Sequence, residues 1–136
     1  MRCGKVKKRR FGISVPEDLA SVLDRLAERL GIDRSRLVCE ALEIYVRHHA
    51  SYLGGRCCGI LTVTGLANSS QILKIIEGFR DVVHEFSHTH AGEECVNVLV
   101  VSGPSSRIAE LHARLMSLPR CGVKYVPVGG ASEGQT

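Results

Sequence analysis

The sequence predicts an α+β chain of two unlike parts, a β-α-α unit over residues 1–50 and a β-α-β-β-α-β unit over residues 59–128. Three observations carry this reading. Apolar residues alternate at Phe11, Ile13 and Val15, as on a strand with one dry face. Leu19, Val22, Leu23, Leu26 and Leu30 then recur at helical spacing. After Gly59 the pattern changes to β-rich runs interleaved with two helical stretches.

In the first part, Pro16 suits the first helical position, and Glu17 and Asp18 suit the positive end of the helix dipole. Gly31 ends this helix. Asp33-Arg34-Ser35 opens the next, with Ser35 expected as N-cap, and Leu37, Val38, Ala41, Leu42 and Tyr45 form its apolar stripe to about His48. Residues 51–58, including Gly54-Gly55, read as a linker.

In the second part, Ile60–Thr64 is β-rich, and Ser69 or Ser70 caps a helix carrying Ile72, Leu73, Ile75, Ile76 and Phe79. Val82–His90 and Val96–Val101 read as strands, the latter ended by Gly103-Pro104. Ser105 or Ser106 starts a helix with Ile108, Leu111, Leu115 and Leu118, stopped at Pro119, and Val123–Val128 is the last strand. This order is that of the ferredoxin-like split arrangement, whose sheet is covered by helices on one face only. The other face must meet water or another subunit, and the apolar 96–101 run favours a subunit. Residues 129–136 read as a disordered tail.

Composition narrows the function classes. No run approaches a membrane span, and no apolar h-region follows the basic start, so a cytoplasmic protein with no membrane partner is expected. Its six cysteines would then stay largely reduced. They show no CxxC spacing, which argues against a zinc ribbon. The net charge of +4 is concentrated in Arg2, Lys5, Lys7, Lys8, Arg9 and Arg10, with no acid before Glu17. A basic arm on a near-neutral body suggests a polyanion partner, while a solubilising tail would look much the same.

The β-α-α unit poses a physical problem. One strand makes no sheet, and so short a chain cannot bury an adequate core alone. Two copies pairing their strands antiparallel solve both difficulties, and a two-stranded ribbon fits the DNA major groove. The outward positions would be Arg10, Gly12 and Ser14, with Arg34, Ser35 and the amides opening the second helix holding a phosphate. A dimerisation module without DNA is the plainer alternative, and the basic arm argues against it. The residues Arg10-Phe-Gly-Ile-Ser-Val-Pro-Glu-Asp-Leu19 and Gly31-Ile-Asp-Arg-Ser35 resemble those of the ribbon-helix-helix family of DNA-binding proteins. That family usually has a base-reading side chain where this chain has Gly12.

The second chemical signal is His88-Thr-His90-Ala-Gly-Glu-Glu-Cys95. On a strand His88 and His90 share a face, and a turn at residues 91–94 would fold Cys95 towards them. Two imidazoles and a thiol are three ligands for a transition metal, although two exposed histidines and a buried cysteine would have the same spacing. The second part as a whole resembles regulatory ligand-sensing domains of the ACT type. With the ribbon-helix-helix half before it, the chain resembles the nickel-responsive regulator family, NikR.

The resemblance runs from Arg10 to Val128 and is most specific at His88-Thr-His90 and Glu-Glu-Cys95-Val-Asn-Val-Leu-Val-Val-Ser-Gly103. It implies a homotetramer formed through the second part. It also implies one Ni(II) per subunit, in a planar set of three imidazoles and one thiolate. His88, His90 and Cys95 come from one subunit and the third imidazole from a neighbour. Here the His90–Cys95 turn is tighter than usual in that family, and the position of the third imidazole falls at Glu77, with His84 the nearest spare histidine. Three such ligands also suit copper or zinc.

The expectation is a metal-responsive regulator binding double-stranded operator DNA. One alternative is a DNA-binding regulator whose second domain answers another ligand or none. Another is a small hydrolase holding catalytic zinc on His88, His90 and Cys95, for which only Glu93 or Glu94, in an exposed turn, offers a general base. The two-part layout has no need of an enzyme.

Overall fold

The computed structural model describes residues 6–66 and 69–129. The chain divides into two compact units, Met1–Arg47 and His48–Thr136. The outer parts of the expected basic arm and tail, residues 1–5 and 130–136, lie outside the described residues.

In the first unit, α1 spans Glu17–Leu30 and α2 spans Arg34–His49, its last two residues belonging to the second unit. Gly31 ends α1 in the left-handed conformation (φ 71°), its amide donating back to Glu28. The cap of α2 differs from the expectation. The helix starts at Arg34, so Ser35 lies inside its first turn, and Asp33 Oδ1 accepts the Arg36 amide at 2.8 Å. Asp33, two positions earlier and directly before the helix, takes the capping role expected of Ser35.

Residues 10–15 form no strand in the single chain. The reason is the one the sequence poses, since an isolated strand has no hydrogen-bond partner. Phe11, Ile13, Leu19, Val22, Leu26 and Leu30 are all exposed, and only Ala27 of the two helices is buried. The unit therefore has apolar faces but no core of its own.

The second unit begins with a 3-10 turn, Ala50–Leu53, followed by β1 (Arg56–Gly65), α3 (Ser69–Glu77), β2 (Val83–Ala91), β3 (Glu94–Pro104), α4 (Ser105–Met116) and β4 (Cys121–Pro127). The four strands are antiparallel neighbours in the order β2-β3-β1-β4. This is the split β-α-β-β-α-β topology, with β1 and β3 central. Alternation places Leu61, Val63, Leu99 and Val101 on the covered face, where they pack with Ile72, Ile76, Phe79, Ile108, Leu111 and Leu115. The stretch read as a linker holds most of the 3-10 turn and the start of β1.

Two glycines are required by packing. A Cβ on Gly59 would lie 2.5 Å from the Tyr125 ring, and Gly65 has φ 136° with a Cβ position 2.2 Å from the Arg120 carbonyl oxygen. The sheet's other face carries Ile60, Val96, Val98, Val100 and Val126, none of them covered in one chain. Cys57, Cys58, Cys95 and Cys121 are free thiols.

Candidate metal centre

The β2–β3 hairpin turns through Gly92 and Glu93, with Ala91 and Glu94 paired. Gly92 has φ 66°, which a two-residue hairpin turn demands and a glycine supplies without strain. This turn fixes the register, so His90 lies directly opposite Cys95 and His88 opposite Asn97. His90 Nδ1 is 3.7 Å from Cys95 Sγ, and the two imidazoles meet edge to face at 5.0 Å between centroids.

One ligand atom from each of His88, His90 and Cys95 falls within 4.8 Å of the others. Ligand atoms held at roughly 2.0–2.3 Å from one ion lie about 3 Å apart when adjacent and about 4.4 Å apart when opposed. The set thus fits one transition ion after small side-chain rotations. Both histidines are exposed and Cys95 is half-buried, so an ion could enter without unfolding.

Asn97 has a part that sequence reasoning missed. It is 1% exposed, and its amide donates to the Val63 carbonyl at 3.2 Å. A carbonyl only accepts, so the amide nitrogen faces β1 and Oδ1 faces His88 Nδ1 at 2.7 Å. His88 must then carry its proton on Nδ1, leaving the Nε2 lone pair for an ion. The sequence signal was a lone amide inside the apolar Val96–Val101 run.

The two residues considered for a fourth position do not join the group within one chain. Glu77, at the end of α3, makes an exposed ion pair with Arg80 at 3.1 Å. His84 sits at a β-bulge between Val83 and Glu85, and its Nε2 contacts the Ser102 carbonyl at 3.1 Å. The bulge breaks the alternation that would have set His84 on the face of His88 and His90. Glu93 in the hairpin turn and Glu94 at the start of β3 lie outside the donor cluster.

Of the expected DNA-facing residues, Arg10, Gly12 and Ser14 are exposed in the extended segment before α1. A side chain at Gly12 would meet nothing within 4 Å, so packing within the chain does not enforce glycine there. Arg34 is engaged by Asp24, with Nε and Nη2 donating to its two carboxylate oxygens at 2.8 and 2.9 Å. The guanidinium holds Asp24 below the ordinary carboxylate range. Ser35 lines the same open cleft between α1 and the start of α2.

Residues 7–50 match the family described as "Ribbon-helix-helix domain", and residues 67–129 match "NikR C terminal nickel binding domain". A protein of Thermococcus onnurineus is 33% identical over 127 residues, covering 88% of this chain and 91% of its own length. One from Thermococcus kodakarensis is 31% identical over 126 residues, covering 85% and 88%. Both are named "Putative nickel-responsive regulator".

A ribbon-helix-helix half, which implies DNA binding and dimerisation, joined to an ACT-like sheet with a nickel-binding domain's sequence defines a metal-responsive transcription regulator and not an enzyme. The chain belongs to the nickel-responsive regulator family, NikR. No helix among the described residues is long and apolar enough to cross a membrane.

Proposed function

We propose that the protein is a cytoplasmic regulator that binds operator DNA under the control of one nickel ion per subunit, held by His88, His90 and Cys95. The observation that carries this reading is the convergence of these three donors within 4.8 Å at one hairpin. Asn97 supports it by presenting His88 Nε2. A bound ion would act as the allosteric effector. Cys95 binds it as thiolate and both histidines bind it neutral, so protons compete and affinity falls on acidification.

The fourth position is open to a group from a neighbouring copy. The sheet face of Ile60, Val98, Val100 and Val126 suits a second dimer, giving a homotetramer. In that assembly Glu77 of an adjacent copy, once released from Arg80, is a candidate donor, and His84 is the alternative. An oxygen donor in place of an imidazole gives a harder site that also admits zinc, and copper remains open to the three soft donors.

DNA contact falls to the paired 10–15 segments. Arg10 would meet base edges, Ser14 a base or phosphate, and Gly12 only the close approach of backbone. Arg34 and Ser35 would meet phosphate at the start of α2, where phosphate takes over the place of the Asp24 carboxylate. Metal at the sheet end and DNA at the ribbon are linked if the ion favours one arrangement of the two dimers. A coupling of about 1–3 kcal/mol is enough for useful switching.

A second reading, favoured by Glu77 at the fourth position, is a DNA-binding regulator whose effector is another metal or ligand. Both are tested by selecting duplexes from a random library with the nickel-loaded protein. Binding is then measured with nickel, zinc, copper or no metal, beside the His88→Ala/Cys95→Ala double variant. Nickel is expected to tighten binding at least tenfold and the double variant to be insensitive. Equal affinity in every condition would remove the sensor role and leave a plain DNA-binding protein.

A further inference from the structure

The segment between α2 and β1 is fastened to α4 by a part-buried cluster of two imidazoles and two phenols. His112 of α4 is 5% exposed, and its Nδ1 lies 2.8 Å from the Tyr52 hydroxyl oxygen on the 3-10 turn. The ring of His49, the last residue of α2, has its centroid 5.5 Å from that of His112. Tyr125 of β4 completes the group, 4.9 Å from Tyr52 and 5.9 Å from His49. Beside them Ser105, opening α4, donates its amide to the Gly55 carbonyl at 3.1 Å and its hydroxyl to the Gly54 carbonyl.

The titratable neighbours on every packed element are His49 from α2, Tyr52 from the 3-10 turn, Tyr125 from β4 and Cys57 from β1. Cys58 acts on Tyr125 and Cys57, and Arg56 acts on Cys57. Burial, then the nearby His49, hold the His112 imidazole below its ordinary value. Burial also pushes the Tyr125 hydroxyl up to about 12, and raises the Cys57 thiol. Near neutral pH the His112 imidazole, the Tyr125 hydroxyl and the Cys57 thiol are therefore uncharged. A proton on His112 would sit on a 5% exposed ring beside a second imidazole, with no carboxylate acting on it among the described residues.

We propose that His112 is a proton-operated latch, which holds residues 50–55 against α4 when neutral and releases them when protonated. The sign follows from the depressed folded value. Docking is at full strength above the ordinary imidazole value of 6.5 and weakens as the pH falls from there towards the depressed one. Because α2 runs directly into the 3-10 turn, the latch decides where that helix stops. No metal ligand takes part, so the latch stands whether or not nickel is the effector.

The test is amide hydrogen exchange on the metal-free full chain between about pH 7.5 and about pH 5, corrected for intrinsic exchange. Protection of Gly54 and Ser105 is expected to fall by up to about tenfold per pH unit below the ordinary imidazole value, while core-strand amides such as Leu61 and Leu99 hold. His112→Gln keeps a polar group for Tyr52 and cannot charge, so its protection should stay level. Level protection in the natural chain, or a parallel loss in His112→Gln, would overturn the latch. If His112→Gln does not fold, the imidazole titration of His112 by NMR decides. A midpoint at or above the ordinary value overturns the proposal, and a lower one that tracks the loss of protection supports it.

Discussion

The two halves of this chain solve the problem of burying apolar surface in opposite ways. Residues 48–129 carry their own core, with Leu61, Leu99, Ile108 and Leu111 fully buried between one sheet face and two helices. Residues 6–47 have as clear an apolar pattern and bury almost none of it. The first half is thus written for two copies and the second for one. Folding of the DNA-reading part is tied to assembly, so its stability depends on protein concentration in a way the sheet's need not.

Substitutions can break that contrast, the largest effects falling in the complete core. Leu61→Ala should cost about 2–5 kcal/mol in denaturant unfolding, with a midpoint for the sheet unit that does not move on dilution. Leu26→Ala, at an exposed α1 position, should instead make the first unit's helical signal fade on dilution, read by circular dichroism across a concentration series. A concentration-independent loss there would mean that the first half holds a core alone.

At the donor cluster, Asn97→Ala should weaken nickel binding by about 10–100-fold without removing a ligand, measured by metal competition. An unchanged affinity would show that Asn97 serves only Val63. If the uncovered sheet face joins two dimers as proposed, Val100→Glu should lower the mass seen in light scattering from tetramer to dimer while leaving the first unit's helices intact. An unchanged mass would put the tetramer contact elsewhere. The smallest effects are electrostatic. Asp24→Asn frees Arg34, so DNA affinity should rise slightly and the salt dependence should steepen by roughly one counterion.

Acid gives a further comparison. Arg34 holds Asp24, and Arg107 holds Asp81, below the ordinary carboxylate value of 3.8. Stability from these pairs is present above that value and lost as the pH falls through the depressed one. Both carboxylates are solvent-exposed, so Asp81→Asn should shift the acid-unfolding midpoint only slightly.

Apart from the unformed 10–15 strand, the order of elements was legible because periodicity is a local property, and so was the convergence of His88, His90 and Cys95. Eight consecutive residues and one glycine turn decide it. What was not legible depended on partners distant in sequence. The His84 bulge arises from pairing with β3, and the setting of His88 depends on Asn97 being stitched to Val63. The residues read as a linker are docked because Tyr52 finds His112, sixty positions away. The Asp33 cap was a near miss of another kind, since Asp33 and Ser35 are both good caps and only geometry chooses between them.

The hairpin register also has a temporal side. Its three donors span only seven positions, and chain segments of that size meet within microseconds of becoming free to move. The bond from Asn97 to Val63 spans 34 positions and requires β1 to pair with β3. The hairpin alone therefore brings the three donors together, and the imidazole of His88 is locked only once β1 has paired with β3.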